Sequence, residues 1–299
     1  MLELSWWARW ALGAACVAVM LVIPTGEFDA QPRIATPHQT EPLSHLPGIA
    51  GDYFKLESTA IGRDFHIFVS LPQSYEDNSE QLYPVVYVLD GDSLFPIIAP
   101  THLFLTIDYE LPEAVIVGIA YGSFDPSVNK RGYDFTVSAP DSDQTRGGAP
   151  EFHAFLEDEL IPLVAGRYRV DSSRSVLFGQ SRGGGMVLYS AFAHPDLFWG
   201  RIASNPTFEP GRKFFLSAPA KASRDDLGLV VTSGSRDIPT LRSAALEWFS
   251  EWVGAESLPW ALHTVTIEGG AHASFSPSSY RTGMLRLFGL NAEPEVCSE

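Results

Sequence analysis

A chain of 299 residues with 45% hydrophobic and 19% charged side chains can bury a large core, and its composition is neither disordered nor fibrous. A formal charge of -16 argues against nucleic acid as a partner, because phosphate binding needs a basic surface. The two cysteines, Cys16 and Cys297, lie close to neither a CxxC pair nor a histidine cluster, so neither a disulfide nor a metal site is expected.

Trp10 to Ile23 is an almost unbroken apolar run, with Arg9 before it and Pro24-Thr25-Gly26 after it. That length suits a signal-peptide core, and Trp6 and Trp7 stretch it towards a short anchor. Residues 1–30 are therefore expected to be a signal peptide or N-terminal membrane anchor of an exported protein, periplasmic or extracellular. Prolines at 32, 37, 42 and 47 make 31–50 an extended linker. The folded domain is expected over 51–290, with a tail at 291–299.

Within that domain, Asp52 to Ser58 and Asp64 to Leu71 alternate apolar and polar residues around Gly62-Arg63, the pattern of an antiparallel hairpin. Tyr83 to Leu89 and Ala114 to Ile119 are apolar runs of strands buried on both faces. Between them, Ser93 to Leu105 reads as a helix interrupted by prolines. Tyr121 to Pro150 is polar and too long for a bare connection, and long loops at strand C-ends shape binding sites. Glu151 to Val164 has a helical period. Val176 to Gln180 reads as a strand, followed by a helix to about Ala193. Further strands are expected at Ile202-Ala203, Leu227 to Thr232 and Leu262 to Ile267, with helices at Leu241 to Val253 and Pro277 to Phe288. This alternation implies an α/β fold: a mostly parallel central sheet, helices on both faces, and the hairpin at its N-terminal edge. Ligands in such folds sit beyond the strand C-ends. Only about twenty residues separate Ser204 from Leu227, so no large lid domain fits there.

Gly179-Gln180-Ser181-Arg182-Gly183 is a Gly-x-Ser-x-Gly turn between a strand and a helix. Flanking glycines let the chain turn sharply enough to lift the Ser181 hydroxyl clear of the sheet, at a helix N-terminus. A serine hydroxyl needs a neighbouring base. His272 follows the last strand and precedes the last helix, whereas the other seven histidines lie on linker, strand or helix positions. The carboxylate that would orient it is Asp237, one residue past Arg236 in the loop after the preceding strand. Glu268 is the competing acid, and a Ser–His dyad needs neither. An oxyanion hole requires two N–H donors. Arg182 supplies one by turn geometry, and Asp92, with Gly91 next, the second. No metal or organic cofactor is implied.

The chain resembles the esterase family of α/β-hydrolases that includes enterochelin esterases and S-formylglutathione hydrolase, with feruloyl and acetyl-xylan esterases more distant. The resemblance spans roughly Gly51 to Leu290. It runs through Tyr87 to Asp92, Lys130 to Thr136, Phe155 to Pro162, the Gly179 to Gly184 elbow, Ala203 to Pro206 and Gly269 to Ser274. It implies a serine carboxylic-ester hydrolase in which Ser181, His272 and Asp237 act through an acyl-enzyme on a small-molecule ester of aryl, feruloyl or siderophore type. An acyltransferase on the same scaffold and a non-catalytic binding module are the alternatives. Arg131 matches an arginine that lies close to substrate in related siderophore esterases; an ion pair with Asp134 or Asp125 is the competing reading. The walls of the site are expected from 121–150 and Phe208 to Phe215, with Tyr121 and Phe208 as substrate contacts. Arg182 stands where an apolar residue is more usual, Asn205-Pro206 replaces the commoner Ser-Pro, and Ala271 stands where the family often has an acid.

Overall fold

The computed structural model describes residues 49, 51–138 and 146–290. The expected leader or anchor, nearly all of the linker and the C-terminal tail lie outside the described residues. Among the described residues no helix is long and apolar enough to cross a membrane.

The chain opens with the hairpin β1 (Gly51–Ser58) and β2 (Arg63–Ser70), paired antiparallel from Gly51 opposite Ser70 to Ser58 opposite Arg63. Gly62 closes it with φ 75°, a left-handed conformation that glycine adopts without steric cost. Then come β3 (Tyr83–Val88), α1 (Gly91–Tyr109), β4 (Val115–Ala120) and the short α2 (Arg131–Asp134). The expected helix at 151–164 is longer and not uniform: α3 (Ala149–Ala154) passes through a π-helical stretch, Phe155–Leu160, into α4 (Ile161–Arg167). The second half is β5 (Val170–Gln180), α5 (Arg182–Ala193), β6 (Gly200–Ser204), α6 (Arg212–Phe215), β7 (Gly228–Gly234), α7 (Pro239–Trp252), β8 (Ala261–Ile267) and α8 (Ser276–Leu287).

The eight strands form one sheet in the order β1-β2-β4-β3-β5-β6-β7-β8. β2 meets both neighbours antiparallel, and every pair from β4 to β8 is parallel. Alternation along the strands feeds two cores. Val85, Tyr87 and Leu177 point to one, packed with Phe152, Phe155, Met186 and Trp248 from α3, the π stretch, α5 and α7. Val86, Val88, Val176 and Phe178 point to the other, covered by Ile98 of α1 and Tyr280 and Met284 of α8. Each such side chain, fully buried, stabilises the fold by about 1.5–3 kcal/mol.

One expectation needs correcting. Pro96 and Pro100 do not interrupt the first helix, which runs unbroken for 19 residues. A proline inside a helix costs roughly 3 kcal/mol. Here Leu94, Phe95, Ile98, Ala99 and Leu105 are all buried from the same helix, and that burial outweighs the lost backbone bonds.

Candidate active site

At the C-terminal end of β5 the chain turns into α5 through Ser181, whose φ of 59° and ψ of -115° lie outside the regions favoured by non-glycine residues. The turn is over-determined by its neighbours. Ser181 N–H donates to Ser204 O at 2.9 Å, and Thr207 N–H donates to Ser181 O at 3.0 Å. A Cβ at Gly179 would stand 2.4 Å from the Gly183 backbone, so only glycine allows the strand and helix to approach this closely.

His272, in the loop between β8 and α8, places Nε2 3.0 Å from Ser181 Oγ and Nδ1 2.7 Å from Asp237 Oδ1. With the Nδ1 proton donated to Asp237, Nε2 is left as the acceptor that faces the serine hydroxyl. Asp237 follows β7, and its side chain is only 1% exposed. The same Oδ1 accepts the Ile238 N–H at 2.6 Å, which fixes the carboxylate plane, and Oδ2 has no hydrogen-bond partner among the described residues. Glu268 is engaged elsewhere: it accepts from Ser235 Oγ at 2.9 Å. Of the two acids considered from sequence, Asp237 is the one on the imidazole.

Two amides hold the histidine loop, and sequence reasoning gave them no role. Asn205 Nδ2 donates to His272 O at 2.9 Å and Ala271 O at 3.2 Å, while its Oδ1 accepts the Gly234 N–H at 2.9 Å. Gln180 Nε2 also donates to His272 O, and its Oε1 accepts from Ser204 Oγ. One signal was present: an asparagine directly after a strand is a residue type that tolerates positive φ, and Asn205 has φ 39°.

α1 begins at Gly91 after Asp90, a left-handed N-cap at φ 55°. The first N–H groups of a helix have no intrahelical acceptor, and those of Gly91 and Asp92 in α1 and of Arg182 in α5 are in that position. The Asp92 carboxylate accepts the N–H groups of Tyr121 and Gly122, each at 2.8 Å, and so ties the start of α1 to the end of β4.

Arg131 pairs neither with Asp134 nor with Asp125. Its guanidinium binds Asp90 bidentately at 2.6 and 2.8 Å and reaches Gln180 O at 3.5 Å. The reason is topological, because the β3 end that carries Asp90 lies beside the β5 end in the sheet. Burial pushes the Asp90 carboxyl above its usual range, against the pull of Arg131. Asp134 instead pairs with Arg63 and accepts the Tyr121 hydroxyl at 2.8 Å. Tyr121 and Phe208 are 4% and 3% exposed, both within the core, where Phe208 packs on Phe215 and Trp248. The Arg182 side chain lies over the α2 turn; an added Cβ at Gly132 would meet its Nη1 at 3.1 Å.

A family profile with the description "Putative esterase" matches residues 58–278. Among curated proteins, the ferri-bacillibactin esterase BesA of Bacillus subtilis (strain 168) is 34% identical over 170 residues, covering 52% of this chain and 57% of that one. The siderophore triacetylfusarinine C esterase of Aspergillus fumigatus is 29% identical over 164 residues, covering 52% and 55%. The chain spans about half the length of the curated relatives it matches. Among solved structures, the BES protein from Bacillus cereus aligns with a TM-score of 0.67 at 25% identity, covering 79% of this chain and 94% of that one. The profile runs from the last residue of β1 into α8 and takes in every element of the site, so the chain belongs to this esterase family and has its α/β-hydrolase fold.

Proposed function

We propose that this protein is a serine carboxylic-ester hydrolase of the enterochelin-esterase type. The observation that carries the reading is the pair of contacts on one imidazole, 3.0 Å to Ser181 Oγ and 2.7 Å to Asp237 Oδ1. As Ser181 Oγ bonds to the ester carbonyl carbon, His272 Nε2 takes its proton, and Asp237 stabilises the imidazolium that results. The negative oxygen of the tetrahedral intermediate meets the N–H groups of Arg182 and of Asp92 or Gly91. Collapse breaks the carbon–oxygen bond to the alcohol, which leaves with the proton from His272. Water then attacks the acyl-serine through the same base, releasing the acid and restoring the serine. No metal or organic cofactor enters this scheme.

Relatives named as siderophore esterases make a bulky, multi-carbonyl ester the favoured substrate class, with aryl esters as the simpler members. Turnover of p-nitrophenyl acetate and butyrate by the wild type and by Ser181→Ala tests the chemistry. A fall of about three orders of magnitude or more is expected in the variant. Equal turnover by the two proteins would refute the nucleophile. Ferric catecholate trilactones and feruloyl esters, run side by side, then rank the substrate classes.

A further inference from the structure

Hydrolysis as written uses only the backbone N–H of Arg182, so its side chain is unexplained. That side chain is partly buried and, among the described residues, makes no hydrogen bond and no ion pair. Arg146 is also partly buried and, among the described residues, likewise makes no hydrogen bond and no ion pair. The carboxylate nearest to hand, Asp90, has both oxygens committed to Arg131. Burial, then Arg131 and Arg146, push the Arg182 guanidinium below its usual range, against the pull of Asp90. A half-buried guanidinium that meets no carboxylate hydrogen bond among the described residues keeps its donors available to an anion. Its location is specific: Arg182 is the first residue of α5, directly after Ser181, and leans over Gly132 of α2, where a side chain would crowd it.

We infer that the Arg182 side chain forms an anion subsite beside Ser181 that binds an oxyanion group, a carboxylate or ionised phenolate, carried by the ester substrate. The planar fork of an arginine matches a carboxylate through two parallel N–H donors, and such charge-assisted bonds are about twice as strong as neutral ones. The subsite rests on the hydrolase reading for its purpose, but its binding can be measured without turnover.

The kinetic test compares 4-acetoxybenzoate with 4-acetoxybenzamide, which share the acetyl group and ring and differ in charge. The wild type is expected to favour the benzoate. Arg182→Gln should lower the benzoate-to-benzamide ratio of kcat/KM about ten-fold, chiefly through KM, and Arg182→Lys should restore part of it. Arg146→Gln should lower the ratio by about two- to three-fold, as expected of a less direct charge. The binding test uses calorimetry with 4-hydroxybenzoate on Ser181→Ala protein, where adding Arg182→Gln should raise Kd about ten-fold. If the wild type hydrolyses neither ester, the hydrolase reading fails while calorimetry still decides the subsite. A kcat/KM ratio and a Kd that both stay unchanged in the arginine variants overturn the inference. So does an equal loss on both esters confined to kcat, which would assign the charge to the oxyanion instead.

Discussion

Asn205 shows how much one residue outside the hydrogen-bonded Ser181, His272 and Asp237 contributes to holding the histidine loop. Its amide joins the ends of β6 and β7 to the backbone of His272, with every polar atom used. Asn205→Ala strips the Gly234 N–H and Ala271 O of their side-chain partner, leaves His272 O with Gln180 alone, and leaves alanine in a left-handed conformation. The expected destabilisation is about 1–3 kcal/mol from the unsatisfied groups and about 1 kcal/mol from the backbone. Turnover should suffer more than binding, because a shift of about 1 Å in a reacting group costs up to ~100-fold. A kcat at least about ten-fold lower with KM little changed is expected in p-nitrophenyl ester kinetics. Wild-type kcat would show that the histidine loop holds its position unaided. Ser181, Asp237 and His272 were legible because each sits at a strand end, and chain order alone aligns strand ends in a parallel sheet. Asn205 and Gln180 were not, since an amide can serve any carbonyl, and theirs lie 67 and 92 residues away. Tyr121 and Phe208 misled for a related reason: an aromatic in a loop reads as a site wall, and only packing reveals that its ring is turned into the core.

Among the elements, the strands were easiest to read. Each central strand is a short apolar run because both faces are covered, and that pattern is local. Strand order and the continuity of α1 were not local. A proline marks a weak point in any helix, but whether the helix survives depends on burial contributed by β3, β4 and α8. The start of α1 matters to the site through Asp92, whose two oxygens each accept a backbone N–H from the end of β4. Asp92→Ala should destabilise the fold by about 1–3 kcal/mol in urea unfolding, as two backbone donors lose a charged acceptor. On the proposed mechanism it should also reduce ester turnover, because the start of α1 loses its tie to the end of β4. Asp92→Asn, which keeps one acceptor oxygen, should fall between the two. Full activity in Asp92→Ala would remove α1 from the oxyanion hole and leave Arg182 N–H as the donor that matters.

For the molecule as a whole, each face of the sheet carries a buried histidine that does not tolerate charge. His102 of α1 is 3% exposed; it accepts the Tyr280 hydroxyl of α8 on Nδ1 at 2.8 Å and donates from Nε2 to Pro112 O at 3.1 Å. Burial holds its pKa down to about 4. His153, on the other core, is held to about 3 by burial first and by His194 next. In the unfolded chain both return to an ordinary value of about 6.5, so between that pH and their folded values the unfolded state binds more protons. Stability from these histidines is therefore complete above about pH 6.5 and is lost as pH falls towards 4. Asp90 and Asp134, whose carboxyls burial pushes up, act with the opposite sign in the acidic range, since there the folded state holds the extra proton. The net curve alone cannot separate the two effects, but a difference between variants can. His102→Gln leaves both aspartates in place and removes one titrating group. It should cost stability at about pH 7.5, and its gap to the wild type should narrow by about 2 kcal/mol in urea melts at about pH 4.5. A gap that stays constant between the two pH values would mean that His102 already carries its proton in the folded protein.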